Sequence, residues 1–189
     1  YIRAFAITKL AAQTDLNQKD FQHFQRLSKD SSREERIAFA QAIPLLYQAD
    51  SYLAAPFLNI LAADPEQDVR LALIDSFAAL AEIYPEVTFE GLKRFIRNVD
   101  RWVQRAVVRK LHQLLPDFPE QTFKLLLRSA HADKSWIRQE TARTFAHYFD
   151  VHTEEIFVRT FELLTQSVQS SILRQIAYSA TNSTIQDFY

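Results

Sequence analysis

Apolar or small side chains follow, at the third and seventh positions, an arginine-like residue that recurs along the chain: Arg3, Arg36, Arg70, Gln104, Arg138 and Arg174, separated by 33, 34, 34, 34 and 36 residues. The third positions are Ala6, Phe39, Leu73, Val107, Thr141 and Ala177, and the seventh are Leu10, Ile43, Phe77, Leu111, Phe145 and Thr181. Only a helix puts offsets of three and seven on the face of the starting residue. A second register, Phe24, Phe57, Phe89, Phe123 and Phe157, is spaced by 33, 32, 34 and 34 residues and supplies core rings for a second helix in each unit. The pattern predicts first helices over about 1–13, 33–48, 67–83, 101–115, 135–149 and 169–180, and second helices over about 18–28, 51–63, 87–98, 119–131 and 154–167. No stretch alternates with period two for long enough to predict a sheet.

Helix-start chemistry supports the same division. Ser32 with Glu35 reads as a capping box. Asp64-Pro65-Glu66 reads as an N-cap, a first-turn proline and an acid favoured by the helix dipole. Pro85-Glu86 and Pro119-Glu120, 34 residues apart, each open a second helix. Pro44 falls inside a first helix, where the missing N–H predicts a kink.

A period of this length means that each unit buries its apolar face against the next. The chain resembles the HEAT-repeat family through Asp68-Val69-Arg70, the stretch WVQRAVVRKL from Trp102 to Leu111, Trp136-Ile137-Arg138, and the aspartates Asp30, Asp64, Asp100 and Asp133 that close second helices. The resemblance implies an all-α, right-handed α-solenoid of about five and a half HEAT-like helix pairs forming one domain over 1–189. It also implies that Arg3, Arg36, Arg70 and Arg138 tie neighbouring units to those aspartates, with Gln104 as the departure, and that the fold presents a curved face to a partner. Because the first motif is already under way at Ile2 and Arg3, a fragment or trimmed chain is expected.

Composition removes several chemistries. Gly91 is the single glycine, so neither nucleotide-binding glycine fingerprint can form. With no cysteine there is no disulfide frame, thiolate nucleophile or cysteine zinc site, and an intracellular, cytoplasmic location is expected. No run of about 18 apolar residues predicts a membrane span. His23, His112, His131, His147 and His152 include no pair four apart, and neither HExxH nor GxSxG occurs. No metal, cofactor or catalytic residue is therefore expected. The acids at Glu34-Glu35, Glu154-Glu155 and Asp64/Glu66/Asp68 are explained by helix dipoles.

Charge is what points further. Residues 93–143 hold 12 Lys+Arg against 5 Asp+Glu, although the whole chain carries a formal −1. The candidate binding residues in this block are Lys93, Arg94, Arg97, Arg101, Trp102, Arg105, Lys124, Arg128, Lys134, Trp136 and Arg143; Arg109, Lys110 and Arg138 complete its cations. The ordinary reading is solvated outer faces, such as Arg105/Arg109 and Lys124/Arg128 four residues apart, with both tryptophans packed between units. The functional reading is a basic, aromatic-bearing surface that holds a phosphate backbone or an acidic protein.

Over about residues 100–150 the chain also resembles the alkylpurine DNA glycosylases built from HEAT-like repeats, through WVQRAV at 102–107 and Trp136-Ile137-Arg138. That resemblance implies a DNA-backbone role for Arg105. The family's catalytic carboxylate with adjacent tryptophans is not recovered: residues 64–70 hold no tryptophan, and Arg143 stands where a second aromatic belongs. The expected function is a non-catalytic scaffold whose partner is a protein, with nucleic-acid binding through the block 93–143 as the alternative.

Overall fold

The computed structural model describes residues 2–13, 16–29, 32–97, 100–130 and 135–151, with isolated positions at 166, 169–170 and 173–174. Among these the chain is all-α, with nine helices: α1 (Ile2–Ala11), α2 (Gln18–Lys29), α3 (Arg33–Ala49), α4 (Ser51–Ala62), α5 (Gln67–Ile83), α6 (Pro85–Ile96), α7 (Arg101–Leu114), α8 (Pro119–Ala130) and α9 (Ser135–Val151). The expected second helix at 154–167 and first helix at 169–180 lie outside the described residues apart from those isolated positions, as do Asp30, Asp133, Lys134 and Phe157 and the side chain of Arg3.

Packing is mostly between neighbours in sequence. α1 packs on α3 and α3 on α5, α2 lies on α4, and α3 with α4 and α5 with α6 form antiparallel pairs. The chain divides into one compact unit over Tyr1–Lys110 and a second over Leu111–Tyr189, the division falling within α7.

The turn inside each pair is one residue long and recurs at the 34-residue period. Asp50 donates its N–H to Leu46 O at 2.8 Å, closing α3, and its carboxylate accepts from Leu53 N at 3.0 Å, opening α4. Tyr84 does the same for α5 and α6 through backbone alone, its N–H reaching Leu80 O at 2.7 Å and its carbonyl accepting from Thr88 N at 3.1 Å. Phe118 repeats the arrangement, with Leu114 O at 2.9 Å and Thr122 N at 3.1 Å. Tyr84 and Phe118 each precede a proline, whose ring disfavours helical backbone in the residue before it. The helix stops there, and the proline restarts it with φ already set.

The expected capping box at Ser32 and Glu35 is present in both directions, at 3.3 and 3.0 Å. Asp64 does not cap α5. The N-cap is Glu66, which makes no side-chain cap bond, because the Asp64 carboxylate is taken up by Arg36. Pro44 is buried inside α3, which runs unbroken from Arg33 to Ala49, so the lost hydrogen bond is offset by packing.

In the first unit the core is a run of aromatic and aliphatic side chains along the facing helices. Phe24 stacks on Phe39 at 5.3 Å, and Phe57 meets Phe39 edge-on at 5.5 Å. Val69, Leu73, Ile74, Phe77 and Leu80 of α5 are all fully buried. In the second unit Phe123 of α8 packs edge-on against Phe145 of α9 at 5.6 Å, over buried Leu126 and Ala142. The phenylalanine register is thus core at 24, 57 and 89 and half-buried at 123.

Gly91 lets α6 approach α5. A methyl group at this position would lie 2.7 Å from Cζ of Phe77, a ring that is itself fully buried. In an open helix Gly→Ala gains about 1 kcal/mol. Here the overlap outweighs that gain, and Gly91→Ala is expected to destabilise the chain by about 1–3 kcal/mol in urea melts. A gain in stability would show that α6 can move away from Phe77 at little cost.

Candidate functional site

The arginine–aspartate series of the sequence is an internal brace. Arg36 of α3 holds Asp64 through two contacts, Nε to Oδ2 at 2.7 Å and Nη2 to Oδ1 at 3.2 Å. Asp64 also accepts from Glu66 N at 2.9 Å. One period later Arg70 of α5 donates to Asp100 Oδ2 at 2.9 Å, and Asp100 accepts from Trp102 N at 2.8 Å, opening α7. Arg70 also donates to Asp64 O at 2.6 Å and Pro65 O at 2.9 Å, so each loop is held from the helices on both sides of it. Gln104 continues the role without charge, donating to Ile96 O at 3.0 Å.

The basic block breaks up when its side chains are placed. Lys110 is buried, with Nζ 3.1 Å from Asp75 O and 3.9 Å from Asp75 Oδ1, and it belongs to the α5–α7 packing. Lys93 is tied to both oxygens of Glu90, at 2.6 and 3.0 Å. Arg94 donates to Asn59 Oδ1. Arg105 and Trp136 are half-buried, whereas Arg97, Arg101, Arg109, Lys124 and Arg128 are exposed. Arg143 is exposed beside Glu140 at 3.6 Å. These residues are divided between the two units: positions up to Lys110 belong to the first, and Lys124, Arg128, Trp136 and Arg143 to the second. Trp102 does not pack as expected. It stands on the first turn of α7 with 56% of its surface exposed, because the core-facing positions there are taken by Val103 and Gln104.

Burial pushes the Lys110 ammonium below the ordinary lysine pKa, with Asp75 opposing the shift. The unfolded chain therefore binds this proton more tightly than the folded chain does. Stability rises with pH between the lowered folded value and the ordinary one. Lys110→Met is expected to be neutral or stabilising by about 1 kcal/mol at neutral pH, and to remove that alkaline rise. Urea melts of both proteins across the alkaline range check it; parallel pH profiles would contradict it.

A groove not marked by the sequence reading lies between α4 and α6. It has a volume of about 300 Å³ and is open to solvent along one side, with Tyr47, Ala55, Leu58, Val87 and Gly91 as its apolar lining and Asn59, Glu86, Glu90 and Arg94 as polar lining. Gly91 contributes by having no side chain to fill it. Burial raises the pKa of the Tyr47 hydroxyl, with Tyr84 adding to the effect, so it stays a neutral donor and acceptor. Glu86, Glu90 and Arg94 are four residues apart and form one row along α6. The sequence held two signals for this site, the single glycine and that row, but neither identifies the α4 surface opposite.

Among the described residues, no group of three or more His, Cys, Asp or Glu could hold a metal ion. No helix among them is long and apolar enough to cross a membrane. Compared with known proteins, the chain matches no family model, no curated protein and no solved structure.

Proposed function

We propose that the chain is a HEAT-like α-solenoid scaffold that binds another protein through its second-helix surface. The observation that carries this reading is the groove between α4 and α6, whose lining is apolar and whose polar residues are carboxylates, an amide and a guanidinium. Neighbour-to-neighbour packing, one-residue turns at a constant period and the repeated arginine–aspartate brace support the solenoid. A row of braced helices offers a preformed surface, and a preformed surface lowers the ordering cost of association. The groove's lining brings together no nucleophile with a base, so the reading is binding rather than catalysis.

The test is selection of displayed peptides on the whole chain, with Ala55→Phe, which fills the groove, as counter-selection. Peptides enriched on the wild type and not on the variant support the reading. Enrichment on both alike would contradict it.

A second reading rests on exposed Trp102 with the exposed cations Arg97 and Arg101 close in sequence, which suits stacking and phosphate contacts to single-stranded nucleic acid. Fluorescence anisotropy with labelled single-stranded and duplex DNA tests it. Salt-sensitive binding lost in Arg97→Glu/Arg101→Glu would favour this reading, and no binding at low salt would remove it.

A further inference from the structure

Resting on the protein-binding reading, we infer that the α4–α6 groove takes a peptide segment whose apolar anchor is flanked by lysine or arginine. The groove's size sets the anchor. About 300 Å³ is at the lower end of the roughly 300–1,000 Å³ of small-molecule sites, enough for one or two apolar side chains. The lining sets the flanks. Glu86 is exposed and makes no ion pair among the described residues, while Glu90, one turn further along α6, has both oxygens on Lys93.

The opposite end of the row is closed to a second cation. Arg94 lies eight residues beyond Glu86, about 12 Å along the helix axis, and is held there by its hydrogen bond to Asn59 Oδ1. Asn59 is itself fixed by donating Nδ2 to Ala55 O at 3.2 Å. A segment lying along α6 thus meets a free carboxylate at one end of an apolar floor and an anchored guanidinium at the other. A cation on the segment is favoured at Glu86 and repelled at Arg94, which gives the segment a direction as well as a charge preference.

The position of Glu86 in the first turn of α6 satisfies the helix dipole, and this alone accounts for an acid there. It leaves the carboxylate exposed on the groove rim, available to a ligand. The surrounding chain favours the same sign, since residues 1–92 hold 8 Lys+Arg against 13 Asp+Glu.

The experiment is a fluorescence-anisotropy titration of the full chain with three short labelled peptides that share an apolar centre and carry lysine, glutamine or glutamate flanks. The lysine peptide is expected to bind about tenfold more tightly than the glutamate peptide at physiological salt, and Glu86→Gln to remove most of that difference. Ala55→Phe is expected to weaken all three, and Val87→Gln provides a second groove variant should the first fail to fold by circular dichroism. Equal binding of the three peptides, abolished by the groove variants, would overturn the charge assignment and leave the groove as a peptide site. Binding unchanged in the groove variants, or no binding of any of the three, would overturn the inference.

Discussion

Arg36→Met is expected to cost the fold about 3–5 kcal/mol, the largest effect of any charge removal in the first unit. The arginine and aspartate side chains are 13% and 3% exposed, so removing the guanidinium leaves a carboxylate that water cannot reach. Hydrogen bonding to Asp64 is the main cause that raises the Arg36 pKa, ahead of opposing desolvation. The pair is therefore a charge-assisted fork inside the protein. Asp64→Asn should cost less, because its amide oxygen still accepts from Glu66 N, and the double variant Arg36→Met/Asp64→Asn should recover much of the single-variant loss. Such a recovery in urea melts identifies the penalty as an unpaired buried charge rather than lost packing. Additive losses would contradict it.

Burial decides which ion pairs matter. Arg33 also pairs across to α5, with Asp68, but both side chains are about half exposed. A pair so placed contributes on the order of 0–1 kcal/mol. Both interactions link first-helix arginines to aspartates, and only burial separates the brace from the surface contact.

This is also why the fold was more legible than the site. Helix ends were readable because their determinants are local: Ser32 with Glu35, Pro85 after Tyr84, Pro119 after Phe118. The phenylalanine register was readable because a 34-residue period repeats a spatial environment. The groove depends on which face of α4 meets α6, and no spacing in the sequence reports the gap left at Gly91. Lys110 and Lys93 counted as members of a basic block because charge is visible in sequence, whereas Asp75 and Glu90, which engage them, had no mark of being partners. Asp64 misled in the opposite direction. Its D-P-E context is an N-cap signal, and a long-range arginine 28 residues earlier claims the carboxylate instead. Trp102 shares a repeat phase with Asp68 and Glu34, both exposed positions, so the period itself placed the ring outward more reliably than its residue type placed it inward.

Phe57→Ala should destabilise the chain by about 3–5 kcal/mol and bring the α2 amides into exchange first. Phe57 is the point where three helices meet. Its ring lies 5.3 Å from Phe21, 6.0 Å from Phe24 and 5.5 Å from Phe39, so truncation removes every one of these contacts and leaves a void among rigid rings. Aromatic pairs add about 0.5–1.5 kcal/mol each beyond area burial. Because α2 is joined to the rest through its contacts with α3 and α4, it is the element most dependent on this ring. Phe123 in the second unit is half-buried with Phe145 beside it, and Phe123→Ala should cost less. The consequence extends to binding, since Phe57 is flanked in α4 by Ala55 and Leu58, which line the groove. If the core ring sets the seat of α4, Phe57→Ala will weaken peptide binding while folded protein remains in excess. Unaltered affinity with the expected loss of stability would show that the groove is held by the α3–α4 and α5–α6 pairs alone.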